Sequence, residues 1–179
     1  MNQIEILAFE SKRVALSLGS NMRRYFHLNA GLNALRAEFG ALHCSPVYES
    51  AAVGFDGSPF LNMAVVIETD LSLPELIHIL KAIEDANGRD RSGPKFSPRT
   101  LDIDVVTYGD ECGVIDGIEL PRPELFFNAF VTKPLADLIP QQQVPGRQQS
   151  FAELWHNEGN RSQALHRVEF QFTDLEQPA

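Results

Sequence analysis

Two stretches of helical spacing in this chain are each bracketed by β-type runs, and that alternation narrows the fold more than any compositional figure. Leu28, Leu32, Leu35 and Phe39 share one helical face, which predicts a helix over about residues 22 to 39 closed by Gly40. Val14-Ala15-Leu16-Ser17-Leu18 precedes it as a strand. Gly19-Ser20-Asn21 stops that strand with residue types that suit a turn and a helix N-cap. His43 to Glu49 is expected to be an edge strand, because Pro46 has no N–H to give a neighbour. After a Gly- and Pro-containing loop over 51–59, Phe60 to Glu68 forms a Val- and Ile-rich strand. Leu73-Pro74 opens a second helix, with Leu76, Ile79, Leu80 and Ile83 on its apolar face and Asn87-Gly88 at its end. Leu101 to Tyr108 is a further strand.

The order strand, helix, strand, strand, helix, strand predicts an α+β fold of the ferredoxin-like βαββαβ kind, an antiparallel sheet with helices on one face. A small extra hairpin is expected near Cys112 to Leu120 and a C-terminal helix around Val131 to Leu138. Arg167 to Phe172 is a candidate terminal strand. A length of 179 residues suits one domain, 1–179, in which the tail 141–179 has no readable role.

In the strand Leu101 to Tyr108, period-two alternation places Asp102 and Asp104 on one face, about 6 to 7 Å apart. Two such carboxylates can share a hard cation, and magnesium is typically held by one or two carboxylates together with phosphate oxygens. A polar strand face exposing two Asp to water would show the same pattern. The preceding segment alters the balance: Arg89, Arg91, Lys95 and Arg99 crowd into a loop without periodicity, in a chain of net charge -9. A basic loop beside an acidic pair suits phosphoryl chemistry, which depends on positioning and on cations that neutralise the transferring group. The chain has no G-x-x-x-x-G-K-[ST], so a P-loop mechanism is excluded. Its acidic balance argues against a nucleic-acid partner.

These residues carry a resemblance. Ser97-Pro98-Arg99-Thr100-Leu101-Asp102-Ile103-Asp104 resembles the G-P-R-T-L-D-[LI]-D signature of the 6-hydroxymethyl-7,8-dihydropterin pyrophosphokinase family, with Ser for the first Gly. Leu18-Gly19-Ser20-Asn21, Phe60-Leu61-Asn62, Ile83-Glu84 and Pro134-Leu135-Ala136-Asp137-Leu138-Ile139-Pro140 agree in order, so that the likeness spans about residues 13 to 155. The resemblance implies transfer of pyrophosphate from ATP, as co-substrate, to the hydroxymethyl group of the pterin, releasing AMP. It implies two magnesium ions on Asp102 and Asp104, and Arg89, Arg91 and Arg99 as phosphate-contacting or catalytic arginines. Asn62 would pair with the pterin edge between Phe60 and Phe130, with Val53 also contacting the pterin and Phe96 closing over the site. Glu84, Lys81, Arg99 and Arg122 would stand on the nucleotide side.

The sequence also departs from the family pattern. Pro121-Arg122-Pro123-Glu124 has Arg122 where His is expected, and Asn128 stands where Arg is expected. Gly117 and Glu119 occupy positions of nucleotide-contacting Arg and Thr, and Lys81 that of a Gln. A pterin-binding paralogue with an altered triphosphate side, acting as sensor or carrier, is therefore the competing reading. No run approaches the roughly 20 apolar residues that span a bilayer, and no basic-then-apolar leader opens the chain. A cytoplasmic enzyme without membrane or nucleic-acid partners is expected, most simply a monomer. Cys44 and Cys112 are expected to be reduced structural thiols.

Overall fold

The computed structural model describes residues 11–96 and 98–175. β1 (Lys12–Ser20), α1 (Arg24–Phe39), β2 (His43–Cys44), β3 (Val47–Ser50), β4 (Phe60–Thr69), α2 (Leu73–Ala86) and β5 (Asp102–Tyr108) make the main body. A hairpin of β6 (Gly113–Ile115) and β7 (Ile118–Leu120) follows, then a 3-10 turn at Pro123–Phe126, α3 (Ala129–Leu138), α4 (Phe151–Glu158) and β8 (His166–Val168).

The sheet runs β5-β1-β4-β3-β8, with β2 also on β4, and every pairing is antiparallel. This is the expected ferredoxin-like core. Pro46 divides the segment after α1 into β2 and β3 rather than one strand. β3 is not an edge: β8 pairs along its free side, Val47 opposite Val168.

Alternation along β1 assigns the two sheet faces. Val14, Leu16 and Leu18 join Leu61, Val65, Ile67, Ile103 and Val105 against α1 and α2 in the larger core. Ala15 joins Ala64, Val66 and Val106 on the opposite face, which α3 and α4 cover through Val131, Leu135, Phe151 and Leu154. The two helices of the βαββαβ unit thus share one face, and the later helices roof part of the other. The small residues of that second face continue beyond the roof as Ser17 and Gly19.

α2 begins with the full reciprocal cap: Ser72 accepts from Glu75 N while Glu75 accepts from Ser72 N. α1 has no such cap. Its N-cap is Arg23, in the left-handed region at φ 44, and the expected capping role of Gly19-Ser20-Asn21 is not taken up. Cys44 and Cys112 are both free, but both are exposed, so neither is a core thiol. Among the described residues, no helix is long and apolar enough to cross a membrane.

Candidate active site

Gly19 lies opposite Asn62 on one side and Asp102 on the other, and Ser17 lies opposite Asp104. One row of the sheet therefore carries an amide, a gap and a carboxylate, with the second carboxylate one step along. The gap is tight. A Cβ on Gly19 would come within 3.2 Å of Asn62 Oδ1 and 3.6 Å of Phe60. Asn62 is buried, and its Nδ2 donates to Ser50 Oγ at 2.7 Å, which fixes the amide against the sheet.

Above this floor is a cavity of about 340 Å³, lined by Val53, Phe55, Phe60, Asn62, Arg89, Phe96, Arg99, Asp102, Asp104, Arg122, Asn128 and Phe130 among others. A second cavity of about 310 Å³ adjoins it, lined by Lys81, Glu84 and Arg91 as well as by Arg89, Asp102, Asp104 and Arg122. The last four residues belong to both, so the carboxylate pair and two arginines form the seam between two compartments. All thirteen site residues expected from sequence line one compartment or the other. A further cavity of about 920 Å³, between α1 and the segment after β8, contains none of them.

The seam is electrostatically tight. Arg89 Nη1 is 3.2 Å from Asp102 Oδ1, and Arg122 Nη2 is 3.5 Å from Asp104 Oδ1 while its Nε is 3.2 Å from Glu124. Burial, and next the charge of Asp102, push the Asp104 carboxyl up to about 7, although Arg122 pulls the other way. The pair is thus short of positive charge even with two arginines beside it. A hard cation would supply it. No cluster of three or more His, Cys, Asp or Glu able to hold a metal exists among the described residues, so a cation here would complete its shell with water or phosphate.

Several expected residues have partners that sequence did not disclose. Glu84 is buried: Oε2 accepts from Ile103 N at 2.8 Å and Oε1 pairs with Arg91 at 2.8 Å, so it ties α2 to β5 behind the Asp pair. Burial raises its carboxyl, and the Ile103 hydrogen bond opposes that rise. Arg91 also pairs with Asp85, on the wall of the second compartment. Phe96 is mostly exposed and lies on Gly54, whose φ of +83 and lack of a Cβ let the ring approach. Arg99 donates to Lys95 O within the basic loop.

Phe55, which lines the first compartment, was not singled out from sequence, and Asn21, read there as turn and cap chemistry, instead supports the site from outside it. Asn21 is buried and joins both loops: Nδ2 donates to Ser58 O at 3.1 Å and Oδ1 accepts from Arg99 N at 2.7 Å. Phe55 meets Phe60 edge to face at 6.3 Å. Its position in a loop gave no periodic signal.

The family model for 7,8-dihydro-6-hydroxymethylpterin-pyrophosphokinase matches residues 15–140. This chain belongs to that pyrophosphokinase family. It is 36% identical over 133 residues to the 2-amino-4-hydroxy-6-hydroxymethyldihydropteridine pyrophosphokinase of Porphyromonas gingivalis, covering 71% of this chain and 90% of that protein. To the Synechocystis pyrophosphokinase it is 36% identical, covering 68% of this chain and 62% of that one. The Arabidopsis thaliana folate synthesis bifunctional protein is 31% identical, with 86% of this chain and 32% of that protein covered. The chain therefore spans about a third of that bifunctional relative. Among solved structures, Plasmodium falciparum HPPK-DHPS with pterin and p-hydroxybenzoate matches with a TM-score of 0.66 at 14% identity, over 82% of this chain and 43% of that one. That likeness supports the pyrophosphokinase-type fold.

Proposed function

We propose that this chain transfers pyrophosphate from ATP to the hydroxymethyl group of 6-hydroxymethyl-7,8-dihydropterin, a step of folate biosynthesis. The observation that carries the reading is the seam: two compartments meet at Asp102 and Asp104, with Arg89 and Arg122 on either side. The first compartment suits a flat heterocycle, having Phe55, Phe60, Phe96 and Phe130 for its faces and Asn62 for its edge. The second, with Lys81, Arg89 and Arg91, suits the nucleotide.

Asp102 and Asp104 would hold two magnesium ions, which neutralise and orient the polyphosphate. The substrate oxygen bonds to the β phosphorus, the bond from that phosphorus to the bridging oxygen breaks, AMP leaves with the electron pair, and the hydroxyl proton is lost to the medium. Arg89, Arg99 and Arg122 offset charge on the group in transit. The basic loop, held to the 51–59 loop by Asn21 and by Phe96 on Gly54, excludes water above the reacting atoms. Arg122, next to Asp104, offers a permanent cation where the family pattern has His, which argues against a degraded triphosphate side.

We infer that it acts as a single domain and as a monomer, since both compartments are built from this one chain, and in the cytoplasm, where free Cys44 and Cys112 stay reduced. Incubation with ATP, magnesium and the hydroxymethyldihydropterin should release AMP. Pterin binding by calorimetry without AMP would support the sensor or carrier reading instead.

A further inference from the structure

The segment after α4 lies beyond the stretch matched by the family model, yet it grips the wall of the first compartment. Asn160 Nδ2 donates to Phe127 O at 2.8 Å. Gln163 Oε1 accepts from Ala129 N at 2.7 Å, and Gln163 Nε2 donates to Asn128 Oδ1 at 3.0 Å. These contacts fix the direction of two amides in sequence. A backbone N–H only donates, so Gln163 must turn its oxygen to Ala129. Its NH₂ then faces Asn128, whose oxygen must accept. The Asn128 NH₂ is left over. It has no hydrogen-bond partner among the described residues and is not sealed away as a buried unsatisfied group. Asn128 lines the first compartment, as do Arg122 and Phe130.

We propose that Gln163 is a positioning residue that presents the Asn128 NH₂ as a donor to a polyphosphate oxygen next to Arg122. The inference rests on the pyrophosphokinase reading. Polyphosphate is favoured over the pterin because Arg122, a cation lining the same compartment, belongs to the seam shared with the second compartment, and the buried pterin-edge amide is Asn62. A neutral donor together with Arg122 thereby stands in for the cation expected at position 128. Both partners are uncharged, so neutral substitutions probe the contact without adding charge to the site.

Asn128→Ala, Gln163→Met and the double variant, each checked for folding by thermal melting, test the assignment. Asn128→Ala should raise the KM for ATP about tenfold, and should weaken magnesium-dependent binding of α,β-methylene ATP by a similar factor in calorimetry. The KM for the pterin should move much less. Gln163→Met should shift the same two quantities in the same direction, and the double variant should be no worse than Asn128→Ala. A selective rise in pterin KM, additive losses in the double variant, or unchanged ATP KM and analogue affinity in folded Asn128→Ala would each overturn the proposal. If Gln163→Met does not fold, Gln163→Ala takes its place, and an unchanged ATP KM in a folded Gln163 variant overturns the positioning role. Absence of AMP release by the unsubstituted protein would instead count against the underlying reading, with the calorimetry still testing the donor.

Discussion

Asp104 is the residue whose ionisation is most altered by its surroundings. Burial and Asp102 raise its carboxyl from an ordinary 3.8 to about 7. A carboxyl raised on folding stabilises the protein in its protonated form, fully below the ordinary value and progressively less as pH rises toward 7. Without magnesium, Asp104→Asn should therefore gain melting temperature relative to the unsubstituted protein between about pH 4 and pH 8. Magnesium with nucleotide should narrow that gap, because a cation favours the ionised pair. A gap independent of pH would show that Asp104 titrates normally. Asp102→Ala and Asp104→Ala should each lose magnesium-dependent nucleotide binding by calorimetry, and unaffected binding in both would mean that the pair is only a solvated strand face.

At the scale of elements, the site depends on two loops, 51–59 and 89–100, whose described residues share no ladder with the sheet. Asn21 holds both through its side chain and also donates its backbone N–H to Arg99 O at 3.0 Å. Asn21→Ala should cost about 1 to 3 kcal/mol in urea unfolding, the range for buried groups left without partners. It should also raise both substrate KM values, because Arg99 loses its tie to the 51–59 loop on which Phe96 rests. A variant with unchanged stability would show that the loops are held by other contacts. The elements themselves were legible: the helix over 73–86 carries period 3.6, Leu28, Leu32, Leu35 and Phe39 mark one face of the helix over 24–39, the strands around Leu16 and Val65 are short apolar runs bounded by turn residues, and the start of the strand around Val105 carries period 2. The Asp pair was legible for the same reason. Asn21 was misread because an Asn after a strand has the same local pattern whether it caps a helix or reaches across to distant loops. Arg122 was placed by resemblance, but its contact with Asp104 depends on chain segments brought together only by folding.

For the whole molecule, the second sheet face explains why the tail exists as ordered structure. Val144, Phe151 and Leu154 are fully or almost fully buried against α3 and the sheet, and α4 was not apparent in a segment that begins with a run of Gln and is interrupted by Pro145 and Gly146. Phe151→Ala should destabilise the protein by about 3 to 5 kcal/mol, as for other large core truncations. Its effect on folding should exceed that of any substitution in the exposed part of the basic loop; equal melting temperatures would contradict a structural roof over this face. With that roof in place, the uncovered end of the same face is free to carry Gly19, Asn62 and the two carboxylates. On the proposed reading, this uncovered end moves an intact pyrophosphate. ATP radiolabelled at the β phosphorus, incubated with magnesium and 6-hydroxymethyl-7,8-dihydropterin, tests it directly: the label should leave the nucleotide and appear in the pterin diphosphate in step with unlabelled AMP, whereas label retained in ADP or ATP would contradict it.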